Sequence, residues 1–236
     1  MPADLQAAKT PRLQVRPLDT NTSFRNLAYA ALKEAITSAD IYSHPEEIRL
    51  DERQLSAALG VSRTPIREAM TLLEQEGFLR TLPRRGVFII RKTKREIVEM
   101  IQVWAALESM AARLATTSAS DDEIANLRRM MIDVVEEDPA QHMDEYSDAN
   151  IKFHQAIIRM SGCDLIASMT ENLFIHVRAI RRATISQSNR LERSIHDHME
   201  IVEALQKRDA DLAERLVREH TLGLAAHVEQ SCDFLD

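Results

Sequence analysis

Glycine and proline are scarce in this chain, with 5 and 7 residues among 236, while alanine, leucine, glutamate and arginine are plentiful. That leaves few places for tight turns, so a turn-rich fold is disfavoured and a mainly helical one is the default. Cysteine occurs only twice, as Cys163 and Cys232, far apart and with no CxxC pair. This offers no good catalytic thiol and fits a reducing compartment. Long apolar runs are missing as well. Nothing approaches the roughly 18 to 20 uninterrupted apolar residues of a membrane span, and no apolar core follows the first basic residue. The expectation is a soluble, unexported, cytoplasmic chain with no membrane partner.

Charge divides the chain. Residues 1–95 hold 16 Lys+Arg against 11 Asp+Glu, a net of +5, whereas residues 96–236 hold 14 against 26, a net of -12. Phosphate would repel the acidic part, so any nucleic-acid contact belongs to the basic part.

Residues 1–20 contain Pro2, Pro11 and Pro17 without an apolar period and read as a disordered tail. From Phe24, the apolar positions Leu27, Ala28, Ala31, Leu32, Ala35 and Ile36 predict a helix of about 15 residues. Two shorter helices follow, Glu52 to Leu59 and Arg63 to Glu76, separated by Gly60, Val61 and Ser62. Gly60 suits a left-handed helix end, Ser62 is placed to cap the next helix, and Pro65 is tolerated in its first turn. Phe78 to Leu82 and Val87 to Arg91 then read as two strands around a basic Pro83-Arg84-Arg85-Gly86 tip. Beyond Glu96 six helical segments are expected, at 96–116, 121–136, 140–160, 163–186, 190–207 and 209–231, with a Ser120/Glu123 capping box at the second. The fold class is therefore mainly α: a winged helix-turn-helix over residues 21–92, then an all-helical bundle of about six helices over 93–232.

The helix-turn-helix reading has chemical content. Arg63, Thr64 and Arg67 cluster at the start of the second helix, the end that enters a major groove, where arginine can pair with guanine N7 and O6. The run Leu55-Ser-Ala-Ala-Leu-Gly60-Val61-Ser62-Arg63-Thr64-Pro65-Ile66-Arg67-Glu68-Ala69-Met70, with Leu73-Glu74-Gln75-Glu76-Gly77-Phe78, resembles the GntR family signature. The Pro83-Arg84-Arg85-Gly86-Val87 segment resembles that family's wing. The resemblance implies operator contacts by Arg53, Arg63 and Arg67, with Arg85 and Gly86 near the minor groove. One departure is Pro45-Glu46-Glu47, where the family usually has Pro-Gly.

In the acidic part, Asn150 and His154 share a helix face with Phe153 and Ile157, while His198 and His220 each lie among apolar residues at helical spacing. Each histidine, taken alone, reads as a core residue satisfied by a hydrogen bond. Three inward histidines in one bundle also suit a shared cation, and nitrogen-rich ligation favours zinc or nickel, with manganese or iron as alternatives. His44, His142, His176, His196 and His227 read as structural or solvated. Leu107-Glu108 with Ala111-Ala112-Arg113-Leu114-Ala115, Asn150-x-x-Phe153-His154, Ser161-Gly162, Asp197-His198-x-x-Ile201-x-x-Ala204-Leu205 and His220 resemble the FCD domain of FadR-like GntR regulators. By that resemblance Asn150, His154, His198 and His220 hold a divalent metal ion, and a carboxylate effector completes its coordination.

Two departures matter. Position 150 is Asn where many members have Asp, and Trp104 stands where many have an arginine that pairs with the effector. Glu108 lies on the same inward stripe as Trp104. If Trp104 lines the pocket, the ligand is a monocarboxylate with an apolar or aromatic body; the alternative is that Trp104 only fills the core. Arg178 is a candidate substitute for the missing arginine, as is Arg181, although both read more readily as surface charges. The expected protein is a homodimer on a short inverted repeat of double-stranded DNA, hinged near Lys92 to Arg95. Two rivals are a metal-responsive regulator and a helical metalloenzyme. The second is weakened because no carboxylate is placed with those histidines as an obvious general base.

Overall fold

A computed structural model describes residues 23–39, 41–42, 47–136, 143–184 and 190–232. The tail expected at residues 1–20, His44 and His142 lie outside them. The basic head opens with α1 (Phe24–Ser38), whose Ala28, Leu32 and Ile36 face inward at a spacing of four. It continues through β1 (Arg49–Leu50), α2 (Glu52–Leu59), α3 (Arg63–Gln75), β2 (Leu79–Leu82) and β3 (Gly86–Ile89). Asp51 caps α2 by accepting from the N–H groups of Arg53 and Gln54. Gly60 ends α2 in the left-handed region at φ 66°, which turns the chain sharply into α3. Ser62 sits at the N-cap of α3 but makes no side-chain cap bond, contrary to expectation.

The wing is a three-stranded antiparallel sheet in the order β1-β3-β2, not the isolated hairpin that the sequence suggests. Arg49 and Leu50 add the third strand by pairing with Phe88 and Val87. A two-residue strand gives no periodic signal, which is why it escapes sequence reading.

The helical domain comprises α4 (Lys94–Ser118), α5 (Asp121–Glu136), α6 (Met143–Met160), α7 (Asp164–Thr184), α8 (Arg190–Gln206) and α9 (Ala210–Ser231). Thr93 and Glu96 form a reciprocal capping box at the head of α4. The hinge region near Lys92 is thus short and leads straight into helix. Ser120 and Glu123 make the box foreseen for α5. The 25-residue α4 is the axis of the bundle and packs along α9, with α6 and α7 on its flanks. Small Ala111, Ala112 and Ala115 on its buried face let α9 approach closely, while Ile97, Ile101 and Trp104 fill wider gaps. Each of these large side chains contributes about 1.5–3 kcal/mol through burial. Among the described residues, no helix is long and apolar enough to cross a membrane.

Head and bundle touch through α1 and α7. Lys33 bridges Glu76 at 3.1 Å and Glu171 at 2.9 Å. Nearby, the buried Tyr42 and His176 share a hydrogen bond.

Candidate nucleic-acid interface and metal centre

Arg63 and Arg67 leave the first turn of α3 on one exposed face, four residues apart. Both meet Glu52 of α2: Arg63 Nη2 at 3.2 Å, and Arg67 through Nε at 3.2 Å and Nη2 at 2.9 Å. These two guanidinium groups hold the Glu52 carboxyl below its usual value, the bonds from Arg67 most of all. Arg53 and Gly86 join them around one concavity of about 340 Å³, together with Arg49, which sequence reading missed. Gly86 has φ 113°, and a Cβ there would stand 2.8 Å from Arg49 Nε, so the wing needs glycine at this point. Thr64 is exposed at the start of α3, and Arg85 lies at the hairpin tip with its guanidinium 5.8 Å from the Phe88 ring centre. Four arginines around one concavity suit phosphate and base-edge contact.

In the bundle, α6, α8 and α9 each bring one histidine to a common point. One nitrogen each from His154, His198 and His220 lies within 4.8 Å of the others, and all three side chains are buried. The ring centres are 4.6 to 5.3 Å apart. His154 Nδ1 faces Glu108 Oε1, and His220 Nδ1 faces Asp197 Oδ2 at 3.0 Å. A carboxylate on the outer nitrogen fixes the tautomer and turns the other nitrogen's lone pair inward. Among the described residues His154 Nε2 and His198 Nδ1 have no hydrogen-bond partner, and His198 Nε2 is 3.2 Å from His220 Nε2. Burial, reinforced by Arg181, lowers His154 to about 4; burial likewise lowers His198 and His220, so the rings are neutral ligands at neutral pH.

Glu108 is therefore not a pocket wall. Its second oxygen accepts from Trp104 Nε1 at 2.6 Å and Thr221 Oγ1 at 2.9 Å. Burial opposes its charge, but the His154 ring, Arg181 and the Trp104 N–H hold the carboxyl below its usual value. Glu108 and Asp197 correct the expectation that no carboxylate stands with the histidines. Both are committed to outer ring nitrogens, so they orient rather than act as a base.

Trp104 is 1 % exposed and packs edge-on against Phe174, with centres 4.0 Å apart. It supports Glu108 and does not line the cavity that opens beside His220. Arg178 is not at the cluster; it pairs with Asp148 at 2.7 Å. Arg181 is the residue that turns inward, 6 % exposed and not a surface charge. Its Nη1 donates to Asn150 Oδ1 at 2.6 Å, while Nε and Nη2 lack partners among the described residues. Burial lowers it to about 10, so it stays cationic. Asn150 completes its own bonding by donating to Ser194 Oγ at 3.0 Å. Of the histidines expected to be structural, His196 is exposed on α8, His176 ties α7 to the head, and His227 lines the cavity beside His220.

Comparison with known proteins agrees with this division. Residues 25–89 match the family described as bacterial regulatory proteins, gntR family, and residues 99–223 match the FCD domain. The chain is 29 % identical over 222 residues to the uncharacterized HTH-type transcriptional regulator YdhC of Bacillus subtilis, covering 92 % of this chain and 93 % of that one. It is 26 % identical over 181 residues to the HTH-type transcriptional repressor RspR of Escherichia coli, with 77 % and 79 % covered. The fold superposes on E. coli McbR/YncC with a TM-score of 0.74 at 22 % identity, over 89 % of this chain and 99 % of that one. These relatives are transcription regulators and not enzymes. The chain belongs to the GntR family of DNA-binding transcription regulators, with an FCD domain behind its winged helix-turn-helix.

Proposed function

We propose that the protein is a cytoplasmic homodimeric repressor whose operator affinity is set by a small carboxylate held beside a divalent metal ion in the helical domain. One observation carries the reading: three buried imidazoles from three helices converge, with carboxylates on the outer nitrogens of two of them. An unpartnered buried ring nitrogen is costly, and a cation shared by the three rings relieves that cost. The donor set favours zinc or nickel over manganese or iron. Asn150, the fourth ligand that the family resemblance implies, keeps one Oδ1 lone pair that Arg181 does not use. Neutral donors leave the ion's charge uncompensated, so its remaining positions favour an anion.

Dimerisation is supported by exposed apolar side chains on two helices that pack together: Val103 and Met110 on α4, 51 % and 44 % exposed, and Leu222 on α9 at 39 %. A two-fold dimer places two heads on an inverted repeat, and repression follows the function named for RspR.

The test is elemental analysis of protein purified without a histidine tag, followed by operator binding with metal, chelator and a carboxylate panel. The expected result is one bound ion per chain, lost in a His154→Ala/His198→Ala variant, and a DNA affinity that responds to a carboxylate only when the ion is present. Metal retained by that variant would overturn the site. A response to chelation alone, with no carboxylate effect, would instead favour a metal-responsive regulator.

A further inference from the structure

The cavity beside His220 has a volume of about 500 Å³ and lies between α8 and α9. That is ample for a small organic ligand. Its wall carries two arginines of α8, Arg190 and Arg193, three residues apart and so on one face. The carboxylate in that wall is Asp197, and it is engaged by His220 Nδ1 at 3.0 Å. Among the described residues neither arginine forms an ion pair, and the buried Nε of Arg190 has no hydrogen-bond partner. Arg181 adds a third cation close to Arg190 and to the histidine cluster. Arg190 is half-buried with one donor unused and Arg193 is exposed beside it, so the wall offers guanidinium donors to an entering anion.

Gly223 supplies an independent sign. It sits inside α9, where glycine costs about 0.5–1 kcal/mol relative to alanine, and its φ is an ordinary helical one. A Cβ there would meet no atom within 4 Å. Packing within the protein therefore gives no reason for glycine, yet the position lines the cavity. The missing side chain keeps ligand space open.

We infer that this cavity binds an organic dicarboxylate, one carboxylate toward His220, the one member of the histidine cluster in its wall, and the second against Arg190 and Arg193. The inference rests on the effector reading above and narrows it. It also replaces the apolar monocarboxylate that a Trp104-lined pocket would have selected. Ser194, Gln230 and Ser231 in the same wall suit a chain bearing hydroxyls.

The experiment is calorimetric titration of zinc-loaded full-length protein with succinate, malate, tartrate and glucarate, each beside its half-amide, which has the same shape and one charge fewer. At least one dicarboxylate should bind about tenfold or more tightly than its half-amide, a difference of about 1.4 kcal/mol. Arg193→Gln, at an exposed position, should remove that preference by weakening dicarboxylate binding more than half-amide binding. Gly223→Leu should keep or raise the melting temperature of the free protein while abolishing binding of both forms. Equal affinity for acid and half-amide, or a preference that survives in an Arg190→Gln/Arg193→Gln variant, would overturn the dicarboxylate assignment alone. If half-amides bind and no dicarboxylate does, the assignment also falls while the carboxylate reading stands. If no member of either set binds, both fall.

Discussion

The Tyr42 hydroxyl and His176 Nδ1 lie 2.8 Å apart in the protein interior, although 134 residues separate them in sequence. The backbone N–H of Lys92, in the connection between the two domains, donates to the same hydroxyl at 3.4 Å. The helix that carries His176 also carries Arg181 and Phe174, so α7 touches the head at one face and the residues around the histidine cluster at another. Such an element can pass a shift at the pocket to the head as a coupling free energy.

Removing the hydroxyl should loosen that link. Tyr42→Phe leaves the buried His176 nitrogen unpaired and should cost about 1–3 kcal/mol of stability. A double-mutant cycle with His176→Leu should show that most of this cost disappears when both partners are apolar. Additive losses in urea denaturation would show that the two groups do not interact.

Acid should act at the same contact. Burial, aided by the Lys92 charge, lowers His176 to about 4, against about 6.5 for a free ring. The unfolded chain then binds more protons than the folded one between those values, so stability must fall as pH drops from 6.5 toward 4. The contribution of this ring is about 1.4 kcal/mol per pH unit within that window and nothing above it. The slope of unfolding free energy against pH should be smaller by about one proton in His176→Gln, and equal slopes would place the ring in water.

On the DNA face, Arg63→Ala and Arg67→Ala should each cost about 1–3 kcal/mol at the operator and far less on random DNA. Arg85→Ala should weaken both alike and lower the slope of log affinity against log salt by roughly one. Glu52 has the opposite sign. Its carboxylate holds both reading arginines in the free protein, so Glu52→Gln should tighten binding to random DNA and narrow the gap to the operator. Fluorescence anisotropy at several salt concentrations measures all four variants, and unchanged random-DNA affinity in Glu52→Gln would show that the ion pair is irrelevant to binding.

At the proposed metal site, Glu108→Gln keeps the shape and removes the charge that orients His154. Metal affinity should fall about 10- to 100-fold, as expected for an outer-shell partner. Because Trp104 is the single tryptophan and its Nε1 donates to Glu108, its emission should shift in the same variant. A competition assay with a chromophoric chelator reports the affinity, and wild-type affinity with an unaltered spectrum would remove Glu108 from the site.

Periodicity, scarcity of glycine and the ordered residues around Gly60 were enough to determine a mainly helical chain, its helix-turn-helix and the six sensor helices to within a few residues. They also sufficed to pick out Arg63 and Arg67 and the three inward histidines, because a repeat of three or four states which face of one helix is buried. That signal is silent about which faces of distant helices meet. Glu108 and His154 are 46 residues apart, His220 and Asp197 23, and only packing of α4 against α6, and of α8 against α9, decided that carboxylates stand behind those rings. The same holds for Arg181, which sequence reads as a surface charge and tertiary packing buries against Asn150, and for Trp104, turned from the pocket into a support for Glu108. Arg49 entered the DNA face only because two residues paired with β3, a contact too short to leave any pattern in the chain.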